Sequence, residues 1–162
     1  MNKTRMITTM AIFVAIGTLG AQVLWFPAGI AKAYPVQHVV NVLAAVTLGP
    51  LPAVAIAFVI GILRVLLGLG TLLAFPGGMI GALLAGIFYK ISKRKGLAVV
   101  GEVLGTGVIG ALFAVPYAQL FMGTSVGALA FLPPFFVSSV SGAFLGWFVL
   151  SRVGERLSVR RV

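Results

Sequence analysis

Tyr34, Gln37, His38 and Asn41 stand close together in an otherwise apolar stretch. Residues three and four apart share one helix face, so Tyr34, Gln37 or His38, and Asn41 turn hydroxyl, amide and imidazole groups in one direction. Polar groups inside a membrane helix face the bundle interior, where a ligand, water or a neighbouring helix satisfies them. The adjoining Pro27 and Pro35 mark an external loop, which favours a ligand site under that loop. Arg64 is the one basic residue inside an expected span. It either snorkels outward and caps its helix, or donates hydrogen bonds to the ligand. Tyr117 and Gln119 on a later helix, and Ser138, Ser139 and Ser141 on the last, are candidates to complete the pocket. Tyr117 and Ser138 are the favoured pair. Trp25, Phe26 and Phe75 supply either an interfacial aromatic belt or apolar walls.

Little in the chain suggests bond-making chemistry. His38 is the only histidine, and no carboxylate or serine is expected beside it in a catalytic arrangement. The two carboxylates, Glu102 and Glu155, both fall towards the expected cytoplasmic side. Glu102 is expected to pair with the Lys93–Lys95 cluster or to sit at a helix N-terminus, with a further bond to Thr106 one turn along. There is no cysteine, no histidine–carboxylate cluster for a metal and no Gly-rich Lys motif for nucleotide. The expectation is a protein that is not an enzyme, with no cofactor and no metal, and that cannot use ATP alone.

The elements that position these residues follow from composition. Of 162 residues, 60% are hydrophobic and 9% charged, a balance far from that of soluble domains. The apolar stretches are long and continuous, unlike the alternating segments of a β-barrel. The fold class expected is an all-α integral membrane protein, a bundle of about six transmembrane helices with both termini cytoplasmic. Helix 1 is predicted over 6–26, helix 2 over 36–48 and helix 3 from Pro52 to about Leu67. Helix 4 reaches Tyr89, helix 5 covers 97–120 with an interruption at Pro116, and helix 6 runs from Pro133-Pro134 to Arg152. The domain reading is a transmembrane substrate-binding unit over 1–152 and a basic cytoplasmic tail over 153–162.

Charge orients the bundle. Of the twelve Lys and Arg, only Lys32 and Arg64 lie outside three groups: Lys3 with Arg5, Lys90 to Lys95, and Arg152 with the Arg-rich tail. The positive-inside rule places those three groups in the cytoplasm, and an even number of spans agrees. The net charge of +10 is thereby a property of lipid-facing loops rather than of nucleic-acid binding. Ala31-Lys32-Ala33 resembles a signal-peptide cleavage site. The preceding apolar run is longer than a signal core, however, so it reads as a retained helix.

Small residues four apart recur at Ala11/Ala15, Gly77/Gly81, Gly101/Gly105 and Gly142/Gly146, spacings that let helix backbones approach closely. Most suit packing inside the bundle, whereas Ala11 and Ala15 lie where a partner can dock. Residues 27–50 (PAGIAKAYPVQHVVNVLAAVTLGP), 64–86 (RVLLGLGTLLAFPGGMIGALLAG) and 101–112 (GEVLGTGVIGAL) resemble the ThiW family, substrate-binding S components of energy-coupling factor (ECF) transporters. The resemblance implies a prokaryotic, multi-pass plasma-membrane protein that captures a thiamine precursor outside the cell. The implied ligand is the thiazole moiety, hydroxyethylthiazole, and the implied partners are a transmembrane coupling subunit and two cytoplasmic ATPases. It also implies that Ala11 and Ala15 are the docking motif. Tyr34, Gln37, His38, Asn41, Arg64, Tyr117 and Ser138 are the candidate substrate contacts. An S component for a pyrimidine precursor or for thiamine is the alternative, with a stand-alone secondary transporter behind it.

Overall fold

The computed structural model describes residues 2–29, 31–123 and 127–159. Thr124 and Ser125, which follow the predicted fifth helix, and Arg160 and Arg161 of the tail, lie outside them. Helix α1 covers Lys3–Val23, opened by Asn2, whose side-chain oxygen accepts the Arg5 N–H at 2.9 Å. It ends three residues before the predicted end because Pro27 forces the backbone ahead of it out of the helical region. In place of a final helical turn, β1 (Phe26–Ala28) pairs antiparallel with β2 (Ala31–Ala33). Gly29 turns the chain between them with a φ of 63°.

Helix α2 (Pro35–Leu48) and helix α3 (Pro50–Leu66) each begin on a proline, whose missing N–H costs nothing at a first helical position. Gly49, at φ 91°, makes the sharp joint between them. At 14 and 17 residues they are about 21 and 26 Å long, shorter than the ~30 Å hydrocarbon core. Helix α4 (Ala74–Ser92) follows the 68–73 loop and closes on Lys93 in a left-handed conformation. The predicted fifth helix is one rod in three parts: α5 (Lys95–Glu102), a π-helical segment (Val103–Gly110) and α6 (Ala111–Met122). Helix α7 (Ala128–Val159) begins earlier than predicted and holds Pro133 and Pro134 inside it; its helical backbone continues past Arg152. Prolines are tolerated there because neighbouring helices re-satisfy the freed carbonyls of a membrane helix.

Among the described residues four helices, Lys3–Val23, Ala74–Ser92, Lys95–Phe121 and Leu129–Val153, are long and apolar enough to cross a membrane. The protein is thus an all-α, largely membrane-spanning bundle with one small hairpin. Helix α4 is its spine, packed on α2, α3, α5 and the π-helical segment. Glycines make that possible: a Cβ on Gly105 would stand 2.6 Å from the Gly81 Cα, and one on Gly101 would stand 2.6 Å from the Leu84 backbone. The main apolar core gathers Val40, Val42, Ile56, Ile60, Ala82, Ala85 and Ala143 from α2, α3, α4 and α7. Helix α1 buries only a narrow strip, Gly17, Thr18 and Ala21. Its other faces leave Ile7, Ile12, Ile16 and Leu19 exposed, with Ala11 and Ala15 among them.

Candidate functional site

A cavity of about 470 Å³ opens beneath the hairpin. Its polar wall carries Tyr34, Gln37, His38, Arg64, Thr106 and Ser138, and its apolar wall carries Leu69, Leu73, Phe131, Pro134 and Phe135. The short α2 explains the position of the first group. Its first turn begins at Pro35, so Gln37 and His38 fall where α3, α4 and α7 converge. Gly142 keeps α7 close to that turn, since a Cβ there would lie 2.7 Å from the His38 Cβ.

Arg64 is 4% exposed, so it does not snorkel out. One guanidinium nitrogen donates to the Gln37 side-chain oxygen, and another donates to the Leu69 carbonyl at 3.3 Å, just past the end of its helix. The guanidinium carbon stands 3.9 Å from the centre of the Tyr34 ring, a cation–π contact in a largely dry setting. Its Nε has no partner among the described residues. Arg64 thus stays inside the bundle, bonded to a loop carbonyl beyond its helix, and lines the cavity.

The expectations for His38 and Glu102 are overturned. Glu102 is fully buried, and its Oε1 is 2.8 Å from His38 Nδ1, 3.1 Å from Asn41 Nδ2 and 2.9 Å from Thr106 Oγ1. The bond to Thr106 is the one expected at that spacing. Lys95, by contrast, donates to the Leu150 carbonyl at 2.9 Å. Glu102 is the eighth residue of α5, about 10 Å of helical rise beyond Lys95, and that rise carries it to the depth of α2. On the other side of the imidazole, Nε2 lies 3.1 Å from Ser138 Oγ, which accepts the Tyr34 backbone N–H at 2.9 Å. His38 therefore does stand between a serine and a carboxylate, the order of a hydrolytic triad. Ser138 lies deep within α7, where backbone N–H groups are spent on the helix rather than free to form an oxyanion hole. The arrangement suits hydrogen-bonded recognition.

Other candidates stand elsewhere. Asn41 is below the cavity rather than on its wall, donating to the Gly78 carbonyl at 3.0 Å and to Glu102. Tyr117 is off the wall, its ring 5.4 Å from that of Phe121, and Gln119 is exposed. Ser139 and Ser141 bond back to carbonyls of their own helix. Trp25 is 45% exposed beneath the Lys32 ammonium, and Phe75 packs edge-on against Phe58. Among the described residues no group of His, Asp and Glu could hold a metal. Thr106, Phe131 and Phe135 were not among the expected pocket residues. Thr106 had one signal, its four-residue spacing from Glu102; the two phenylalanines had none beyond lying on the apolar start of α7.

A search of curated proteins returns no match. A family model described as "Thiamine-precursor transporter protein (ThiW)" matches residues 7–156, from within α1 to within α7. Proteins of that family are substrate-binding transport subunits of the plasma membrane and not enzymes. Resemblance in sequence, membrane-spanning helices and the family match agree: the chain belongs to the ThiW family of thiamine-precursor transporters.

Proposed function

We propose that this chain is the S component of an ECF importer and that it captures hydroxyethylthiazole at the outer face of the membrane. The observation that carries the reading is the cavity beneath the hairpin, with directed hydrogen-bonding groups on one wall and aromatic and aliphatic side chains on the other. A thiazole ring with a hydroxyethyl arm needs that combination: apolar contact for the ring and a few polar partners for its nitrogen and hydroxyl. Buried Arg64 on the wall favours a neutral ring over the permanently cationic thiamine, because like charges repel strongly in a dry site.

In this reading six helices cross the membrane, α2 and α3 as short spans, and both termini lie in the cytoplasm beside the basic groups. Tyr34, Gln37, His38, Arg64 and Ser138 contact the substrate, and Asn41 acts from behind them. Ala11 and Ala15 on the exposed face of α1 dock on the coupling subunit, which links the bundle to two cytoplasmic ATPases. Transport runs inward. Uptake of labelled thiazole by cells carrying this chain, with and without the coupling subunit and ATPases, tests the reading. The expected result is accumulation only with the partners. Undiminished accumulation without them would establish a secondary transporter instead, and thermal-shift ranking of thiazole, pyrimidine precursor and thiamine identifies the ligand.

A further inference from the structure

Glu102 has no part in the direct contacts just described, yet the groups around it constrain the chemistry of the cavity wall. It is one of two side-chain carboxylates in the chain, is 0% exposed, and has three groups able to donate around Oε1, while Oε2 has no partner among the described residues. One assignment of protons satisfies the relay from Glu102 through His38 and Ser138 to Tyr34, with Thr106 sharing its single proton between Oε1 and the Gly77 carbonyl. A carboxylate oxygen only accepts, so His38 Nδ1 carries a proton. In the neutral ring Nε2 then has a lone pair, and Ser138 donates its single proton to it. The Ser138 oxygen remains free to accept the Tyr34 N–H. With a charged imidazolium, Nε2–H and Tyr34 N–H would both converge on Ser138, whose own proton would then have no acceptor among the described residues.

We propose that Glu102 is a positioning residue that holds His38 in the neutral, Nδ1-protonated tautomer, so that the cavity presents an accepting nitrogen beside a rotatable hydroxyl. This inference rests on the functional reading above and narrows its substrate class to one bearing a free alcohol. A ligand hydroxyl donates its proton to His38 Nε2 while Ser138 turns its own proton onto the ligand oxygen. One hydrogen bond within the wall is exchanged for two to the ligand, and no net proton moves. A deoxy analogue offers neither group. Thr106 and Asn41 hold the carboxylate in place, and Gly81 leaves room for it, since a Cβ there would lie 2.7 Å from Oε2.

Because His38 is the only histidine, one ring-labelled sample reports its tautomer directly. Nitrogen-15 NMR of the ¹⁵N-histidine protein in detergent at neutral pH is expected to show Nδ1 protonated and Nε2 unprotonated. An imidazolium, or the Nε2-protonated tautomer, would overturn the inference whatever ligand binds. The second arm titrates hydroxyethylthiazole against its deoxy analogue. The alcohol is expected to bind at least about tenfold more tightly than the deoxy analogue, the worth of one well-placed hydrogen bond.

Glu102→Gln, with its amide oxygen at the three-donor position, keeps the tautomer and the preference. Glu102→Leu removes the acceptor, mixes the tautomers and reduces the preference to less than about threefold. Equal affinity of the wild type for alcohol and deoxy analogue overturns the inference even if Glu102→Leu fails to fold. The expected tautomer with no thiazole binding at all supports the positioning of His38 and refutes the functional reading.

Discussion

One methyl group added at Gly81 probes whether the buried Glu102 cluster keeps the cavity wall in shape. A Cβ at that position would lie 2.7 Å from Glu102 Oε2, 2.9 Å from its Cδ and closer still to Thr106 Oγ1. Neither side chain retreats freely, because Glu102 holds His38 and Asn41, and Thr106 Oγ1 lies 2.9 Å from both Glu102 Oε1 and the Gly77 carbonyl, to either of which it donates. Helix α4 cannot back away freely either, since α2 and α3 also pack against it. Overpacking of this kind costs about 1–3 kcal/mol, and displacing one hydrogen bond to a buried charge costs about 1.5–3 kcal/mol more. Gly81→Ala is therefore expected to lower the thermal midpoint in detergent by roughly 10 °C. It should also weaken thiazole binding about tenfold through the displaced imidazole. Gly96→Ala is the matched control: its Cβ would meet nothing within 4 Å, and a helical alanine there is neutral or stabilising by about 0.5–1 kcal/mol. Intrinsic-fluorescence melting and calorimetric titration read both. A Gly81→Ala protein that melts and binds like the wild type would refute the close packing on which the Glu102 cluster depends.

Arg64→Lys keeps the charge but loses the stacked plane over Tyr34 and the forked donation to Gln37 and Leu69, so ligand affinity should fall about tenfold or more by titration. Tyr117→Ala should leave affinity within about twofold, whereas Asn41→Ala, which removes a donor from buried Glu102, should cost roughly 1–3 kcal/mol in melting stability and weaken binding indirectly. Ala11→Trp is expected to bind thiazole normally but to fail in co-purification with the coupling subunit and in uptake; normal uptake would place the docking face elsewhere.

Much of the framework was legible because it depends on local signals. Long apolar runs marked the helices, Pro35 and the Gly49-Pro50 joint marked where α2 begins and ends, and the four-residue glycine spacings marked seams where backbones meet. Pro27 was also visible, but its consequence was not: ending α1 early leaves three residues on each side of Gly29 to pair as strands, which depends on where β2 returns. Tyr34, Gln37, His38 and Arg64 could be singled out because a polar group in an apolar run has to be satisfied somewhere. The partner of His38 could not. Glu102 was judged by its sequence distance from Lys95, whereas its depth follows from how far the short α2 reaches into the bundle and from the π-helical turn after it. The apolar wall was likewise hidden, since Phe131 and Phe135 differ from their lipid-facing neighbours only in which way the proline-containing start of α7 turns them.

The central claim is that the cavity under the hairpin captures a thiazole alcohol. Isothermal titration of hydroxyethylthiazole into the purified protein, alongside a His38→Ala variant shown by its melting curve to be folded, tests it most directly. The expectation is saturable one-to-one binding in the wild type and an affinity at least about tenfold weaker in the variant. No binding heat at several temperatures, or equal affinity in both proteins, would contradict it.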